Sequence, residues 1–304
     1  MYSLRQLAKG IRKPRMASLE INRQFHRLFS TNNESSNVFA EDWDNLIILD
    51  GCRYDVLSET DFVKKADDFT SRISSGSNSV EFLESNVNGN YLDDVVWVSA
   101  NPYVSDHRES IFKVIDAWDE GWNDKCRTVL PETMVEYAKE SAVEFPDKRL
   151  VVHFMQPHYP FIGPTAQELP QHRTFTGEGQ TNDDPKDIWK HLQNGAVDRS
   201  LVWKAYTESL QKTLPYVDDL VEELRGRTVI TADHGNAFGE RGSPIPISIY
   251  GHPPGLRNNA LVRVPWVVFS SKDRKNIVPD VIESNSSEIS SDIKDRLRDL
   301  GYVE

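Results

Sequence analysis

Cysteine is scarce in this chain: Cys52 and Cys126 are the only two, and they form no CxxC pair. That excludes a disulfide framework and a cysteine-built zinc knuckle. Long apolar runs are missing too. No stretch approaches the ~20 residues of a membrane span, and the N-terminus lacks the apolar core of a secretion signal. Positive charge is in deficit, with 35 basic against 47 acidic residues and a formal net charge of −12. Such a balance argues against a protein that coats nucleic acid. Together these absences set the expectation of a cytoplasmic protein without a nucleic-acid partner.

What is present suits one large α/β domain: 304 residues, 38% of them apolar, can fill a sizeable core. The first thirty residues stand apart. Arg5, Lys9, Arg12, Lys13, Arg15, Arg23 and Arg27 are interspersed with Leu4, Leu7, Ile11, Leu19, Ile21 and Phe25. This basic amphipathic arm packs on its own domain or touches an anionic membrane surface or a partner, and Pro14 argues against one long helix. A polar stretch follows, so residues 1–37 read as arm and linker, 38–278 as the main domain, and 279–304 as a polar linker with a last short helix.

Apolar runs of strand length occur at Asn45–Leu49, Val95–Ser99, Arg149–Phe154, Val229–Ala232 and Val264–Phe269. Unalternating runs of this kind belong to strands covered on both faces. Helical patterns lie between them, one over Pro131–Phe145 with proline at its favoured first position, another over about Leu201–Leu224 that Pro215 is expected to bend or divide. The implied fold is α/β, a mostly parallel central sheet sandwiched by helices. Residues 163–187, rich in Thr, Gln, Pro and Gly, read as a long surface insertion or a lid.

Two of the apolar runs end in acid. Asn45-Leu-Ile-Ile-Leu stops at Asp50-Gly51, and Val229-Ile-Thr-Ala stops at Asp233-His234-Gly235. Ligands gather outside the carboxyl ends of parallel strands, so Asp50, Asp233 and His234 can meet over one divalent cation although distant in sequence. Mixed carboxylate and imidazole ligation admits Mn, Zn, Mg or Ca. Each segment alone also reads as a helix cap or a turn.

Ser74-Ser-Gly-Ser-Asn-Ser79 leads into a helix beginning near Val80. A hydroxyl there meets free backbone N–H groups and the positive end of the helix dipole, which favour an alkoxide and an incoming phosphate or sulfate. Asn78 with Glu81 also makes an ordinary capping pair.

Asp50-Gly-Cys-Arg-Tyr-Asp55, Thr231-Ala-Asp-His-Gly235 and Asp295-Arg-Leu-Arg-Asp-Leu-Gly-Tyr302 resemble the sulfatase-like branch of the alkaline phosphatase superfamily. The likeness runs from about Asp44 to the end, making 38–278 the body of a catalytic domain. It implies that Asp50, Asp233 and His234 bind metal and that a serine, threonine or modified cysteine attacks phosphorus or sulfur. Gly76-Ser-Asn-Ser-Val-Glu-Phe82 is similar to the nucleophile segment of lipoteichoic acid synthase-like enzymes, which assigns Ser77 as nucleophile and metal-contacting hydroxyl, with Ser79 as the alternative. The formylglycine segment Cys-x-Pro-Ser-Arg of true sulfatases is missing, so phosphoric esters or diesters are favoured over sulfate esters.

His153-Phe-Met-Gln-Pro-His158-Tyr-Pro and Tyr250-Gly-His252-Pro-Pro-Gly-Leu-Arg257 set further side chains at the same rim. His158 and His252 are expected to serve the leaving group or substrate oxygens, with a second-metal ligand as the other role for His252. Arg257 and Arg53 are expected to bind the anion, although Arg53 could merely pair with Asp55. His153 reads as a buried neighbour. The expected activity is a metal-dependent hydrolase or transferase of small, glycan-linked or lipid-linked phosphates; the rival reading is a degenerate member that binds anionic ligands.

Overall fold

The computed structural model describes residues 14–29, 37–169 and 188–280. Much of the expected linker at 30–37, most of the 163–187 insertion and the expected C-terminal helix lie outside these residues.

A seven-stranded sheet carries the molecule. In chain order its strands are β1 (Asn45–Leu49), β2 (Asp68–Ile73), β3 (Leu92–Ser99), β4 (Ile111–Asp116), β7 (Arg149–Phe154), β8 (Thr228–Thr231) and β11 (Arg263–Phe269). Two small hairpins, β5–β6 (Trp122–Asn123, Thr128–Val129) and β9–β10 (Ala237–Arg241, Ser248–Gly251), lie outside it. The sheet order is β2-β11-β8-β1-β7-β3-β4. β1 lies parallel to both β7 and β8, and β3 to both β7 and β4. Only β11 runs against its neighbours, pairing antiparallel with β8 and β2.

Side-chain alternation along β1 explains the layering. Leu46 and Ile48 enter one apolar cluster and Ile47 and Leu49 the other, all fully buried. Each such side chain contributes about 1.5–3 kcal/mol by leaving water, so a strand with no polar face is stable only between two helical layers. Helices α2 (Tyr54–Ser58), α4 (Pro131–Glu144) and α5 (Arg199–Glu223) cover one face through Leu57, Met134, Ala138, Tyr206, Leu210 and Val217. Helix α3 (Ser79–Val87) covers the other through Phe82, Leu83 and Val87. Helix α1 (Pro14–Phe29) packs outside these layers.

Pro131 occupies the first turn of α4 as expected. Pro215 does not divide the second helix, which runs unbroken through it for 25 residues. Pro215 and Gln211, whose carbonyl loses its partner, both lie on the exposed face. Water can therefore take the place of the missing N–H donor.

Candidate active site

The carboxyl ends of β1 and β8, adjacent in the sheet, deliver Asp50 and Asp233-His234 to one point. Ligand atoms of the three residues lie within 4.8 Å of one another. All three side chains are fully buried. Gly51 makes the turn after Asp50 at φ +65°, a conformation that favours glycine. Gly235, expected to release the chain into a turn, is required for a different reason: a Cβ there would stand 2.2 Å from the carbonyl oxygen of Ala260. Its N–H donates to the Leu261 carbonyl at 2.7 Å.

Hydrogen bonds orient each ligand. Asp233 Oδ1 accepts from the backbone N–H of Gly51 at 3.0 Å and of His234 at 2.8 Å, which leaves Oδ2 facing the centre. Asp50 Oδ2 accepts from Asn101 Nδ2 at 2.8 Å. His234 Nδ1–H donates to the Gly235 carbonyl at 2.8 Å, so in the neutral ring the Nε2 lone pair points inward. That nitrogen lies 3.5 Å from Asp50 Oδ1 and 3.5 Å from Asp233 Oδ2. A lone pair directed at two buried carboxylates is repulsive unless positive charge sits between them. The donor set therefore fits a divalent cation, and its hard and borderline ligands do not choose among Mn, Zn, Mg and Ca. Burial opposes ionisation of Asp50, but the imidazoles around it, His158 foremost, outweigh it and hold the carboxyl far below its ordinary range.

Of the serines before α3, the structure brings Ser79 to this centre. Its Oγ donates to Asp233 Oδ2 at 2.7 Å and lies 3.3 Å from Asp50 Oδ2 and 3.5 Å from His234 Nε2. The expectation that Ser77 sits here is corrected. Its hydroxyl lies 2.9 Å from Glu81 Oε2 and 3.1 Å from the Pro253 carbonyl oxygen, bonded away from the acidic group. Asn78 caps α3 by accepting from the Glu81 N–H at 3.0 Å, as its position implied. Glu81 does not return the bond to Asn78; its carboxylate accepts from the Ser77 N–H at 2.9 Å instead.

His158 and His252 meet over the same centre, Nε2 to Nε2 at 2.9 Å. The rings of His252 and His234 stack at 4.7 Å between centroids. His158 Nδ1 bonds the Tyr159 carbonyl, so its Nε2 accepts and His252 Nε2 donates when both rings are neutral. Burial lowers the pKa of His158, with Asp50 opposing, and pushes that of His252 further down, where His234 and His158 add to the effect. His153 is more than the expected neighbour: Nε2 lies 3.6 Å from Asp50 Oδ2 and 3.9 Å from Asp233 Oδ2.

Neither arginine reaches the centre. Arg53 is buried and bonded to Asp55, Glu240 and the Asn236 carbonyl. Arg257 holds the carbonyls of Ser74 and Ser75 at 2.9 and 3.2 Å. Both guanidiniums hold loops in the structure, Arg53 in the pairing with Asp55 that was its other expected role. Two supporting residues escaped the sequence reading. Tyr206 Oη donates to the Gly51 carbonyl at 2.8 Å and accepts the Arg53 N–H at 2.9 Å, and Asn236 Nδ2 donates to the same carbonyl at 3.0 Å. Only apolar spacing on α5 pointed to Tyr206. Cys52 is fully buried, and burial raises its thiol pKa, in keeping with a packing role.

Comparison with known proteins adds the following. No curated protein sequence matches the chain. Among solved structures it is similar to the integral membrane lipooligosaccharide phosphoethanolamine transferase A (EptA) of Neisseria meningitidis, at 14% identity and a TM-score of 0.48, over 75% of this chain and 47% of that one. It is also similar to the periplasmic domain of EptC from Escherichia coli in complex with Zn, at 12% identity and a TM-score of 0.48, over 78% and 75% of the two chains. A third is the lipoteichoic acid synthase LtaP from Listeria monocytogenes, at 11% identity and a TM-score of 0.42, over 74% and 64%. The chain thus spans about half the length of the first of these. No helix among the described residues is long and apolar enough to cross a membrane. A family model for sulfatases matches residues 16–294, well over half of the sequence, and the chain therefore belongs to the sulfatase family.

Proposed function

We propose that this sulfatase-like enzyme is a metal-dependent hydrolase or transferase of phosphoric esters or diesters, with Ser79 as its nucleophile. The observation that carries the reading is the Ser79 hydroxyl at the start of α3, 2.7 Å from Asp233 Oδ2 and 3.3 Å from Asp50 Oδ2. Asp50, Asp233 and His234 would hold the cation, with Ser79 Oγ as a further contact. When bound, the ion lowers the pKa of a coordinated hydroxyl and stabilises negative charge on the transferred group.

The remaining steps belong to the chain's own side chains. Ser79 Oγ gives its proton to Asp233 Oδ2, which already accepts its hydrogen bond, and attacks phosphorus, forming the O–P bond as the leaving oxygen departs. Free N–H groups in the first turn of α3 face the oxygens of the transferred group. His158 and His252, bonded Nε2 to Nε2, hold a proton beside the centre, and His252 passes it to the leaving oxygen when that oxygen replaces His158 as its acceptor. Asn101 and His153 hold the Asp50 carboxylate in place. Water then hydrolyses the serine ester, or an acceptor hydroxyl takes the group. A serine in place of formylglycine favours phosphate over sulfate, and the substrate class is a small, glycan-linked or lipid-linked phosphate.

The test is turnover of aryl phosphate, aryl phosphodiester and aryl sulfate with Mn, Zn, Mg or Ca added in turn after chelation. The reading expects phosphoester or phosphodiester cleavage that chelation abolishes and one of these ions restores. Cleavage that survives exhaustive chelation, or wild-type rates no greater than those of Ser79→Ala on every ester, would overturn it.

A further inference from the structure

We propose that α1 lies in the interface of an anionic lipid bilayer and brings the mouth of the active site to ester groups at that surface. The lipid contact stands on the helix alone; the lipid-borne substrate rests on the ester chemistry proposed above.

Helix α1 is docked the wrong way round for a helix of a water-soluble domain. Positions 15, 19, 22 and 26 form the stripe that faces the body, and three of them are polar. Arg15 donates to the Ser248 carbonyl at 2.7 Å. Asn22, fully buried, donates to the Ile245 carbonyl at 2.9 Å and accepts the Ile245 N–H at 2.8 Å. On the side of this stripe, Arg23 Nε donates to the Pro254 carbonyl at 2.8 Å. Leu19 is the only buried apolar side chain of the helix.

Beside this stripe, Ile21, Phe25, Leu28 and the adjoining Phe29 form an apolar flank turned to solvent. Ile21 is 51% exposed, Leu28 73% and Phe29 68%. The rings of Phe25 and Phe29 lie against each other, 4.8 Å between centroids, and continue the apolar surface. A contiguous ridge of this kind marks an interaction surface.

Charge selects the partner. Residues 1–29 carry seven of the chain's 35 basic residues and one of its 47 acidic ones, Glu20, in a protein whose net charge is −12. Apolar side chains along one face of α1, in a segment whose sequence is rich in arginine and lysine, are the composition of a segment that lies in a headgroup layer. A second copy docking ridge to ridge by two-fold symmetry would set those cations against an identical set, which is unfavourable.

Position supplies the functional half. Arg23 is bonded to the loop that carries His252, and His252 is the one member of the centre that is not fully buried. The partly exposed His252 and Pro253 therefore lie in the loop that α1 touches, and an esterified headgroup at the surface on which α1 lies would meet the centre from that loop.

The experiment compares the full chain with the triple variant Ile21→Ser, Phe25→Ser, Leu28→Ser by co-sedimentation with vesicles of phosphatidylglycerol and phosphatidylcholine. In parallel, turnover of a soluble aryl phosphodiester and molar mass in solution are measured. We expect wild type to sediment with phosphatidylglycerol-containing vesicles and the triple variant to partition at least about tenfold less, from three apolar side chains lost to the interface. Soluble turnover should be equal in the two proteins. Equal vesicle binding by both, or a wild-type dimer that the triple variant disperses without any vesicle binding by either, would overturn the proposal. Vesicle binding lost in the triple variant while neither protein cleaves the soluble ester would support the membrane contact and sink the ester chemistry instead.

Discussion

Ser77 and Ser79 stand two residues apart with their hydroxyls in opposite employment, which makes the pair a strong test of the site. Ser79 Oγ is fully buried against Asp233 and Asp50, while Ser77 Oγ is shared between Glu81 and the Pro253 carbonyl. Ser79→Ala removes the hydroxyl that we propose forms the covalent bond. A loss of about 10³-fold or more in kcat is expected, which corresponds to about 4 kcal/mol of barrier. Cation affinity should stay within about tenfold of wild type, because the three charged or imidazole ligands remain.

Ser77→Ala removes two hydrogen bonds of 2.9 and 3.1 Å but leaves Glu81 two backbone donors, the N–H of Ser77 and of Gly255. The expected cost is about 1–2 kcal/mol of stability, or a fall in Tm of about 2–6 °C, with kcat reduced by no more than about fivefold. Turnover of an aryl phosphodiester, thermal melting and metal titration on the same preparations separate the outcomes. If Ser77→Ala abolishes turnover at unchanged Tm while Ser79→Ala keeps more than a third of wild-type kcat, the assignment of the nucleophile is wrong.

Asn101→Ala should weaken cation binding by about 10–100-fold, because the Asp50 carboxylate loses the amide that aims it; isothermal titration with Mn after chelation measures this. Tyr206→Phe leaves the buried Arg53 N–H without its acceptor and takes one donor from the Gly51 carbonyl. That should cost about 2 kcal/mol in urea unfolding, with a smaller effect if Asn236 Nδ2 holds Gly51 unaided. The chelated protein should also lose stability as pH falls. His158 and His252 have pKa values lowered from the ordinary 6.5 by burial, so the unfolded chain binds more protons in the window below 6.5. Their contribution is complete above that pH and is lost as pH drops through the lowered folded values. His252→Gln should flatten the dependence of Tm on pH below 6.5; an unchanged slope would show that His252 takes up its proton as readily folded as unfolded.

Those parts of the fold that rest on period and burial were legible in the sequence. β1, β7 and β8 are runs with no polar face, and that is what a strand between two helical layers must be. The edge strand β2, with no fully buried residue along Asp68–Ile73, gives no such signal. Direction was legible only in part: β11 has the same unalternating apolar character as its parallel neighbours but runs opposite, because its connection and not its composition decides that. Asp50, Asp233 and His234 were readable because strand ends converge by topology. Ser77 and Arg53 were not, since the choice depends on partners outside the local segment. Glu81 and Pro253 claim the Ser77 hydroxyl, and Glu240 and the Asn236 carbonyl claim Arg53 from more than 180 residues away. Charge at a motif tells that a guanidinium is present, not what it holds.

The same point governs how the site is kept together. Glu81 accepts from Ser77 through one carboxylate oxygen and from the Gly255 N–H at 2.7 Å through the other. It thereby ties the first turn of α3, which positions Ser79, to the loop that carries His252. Arg257 tightens the tie from the far side by holding the carbonyls of Ser74 and Ser75, and Arg23 of α1 fastens the loop at Pro254. The segments that carry Ser79 and His252 and the outer helix are thus joined by charged hydrogen bonds, each stronger than its neutral counterpart. Displacement of α1 by a surface would be felt first at Ile245, Ser248 and Pro254, and at Ser79 only through the loop that holds Pro254. A substitution in the exposed face of α1 leaves this set intact, whereas one at Arg23 or Glu81 does not, and for that physical reason surface binding and turnover can be separated by mutation.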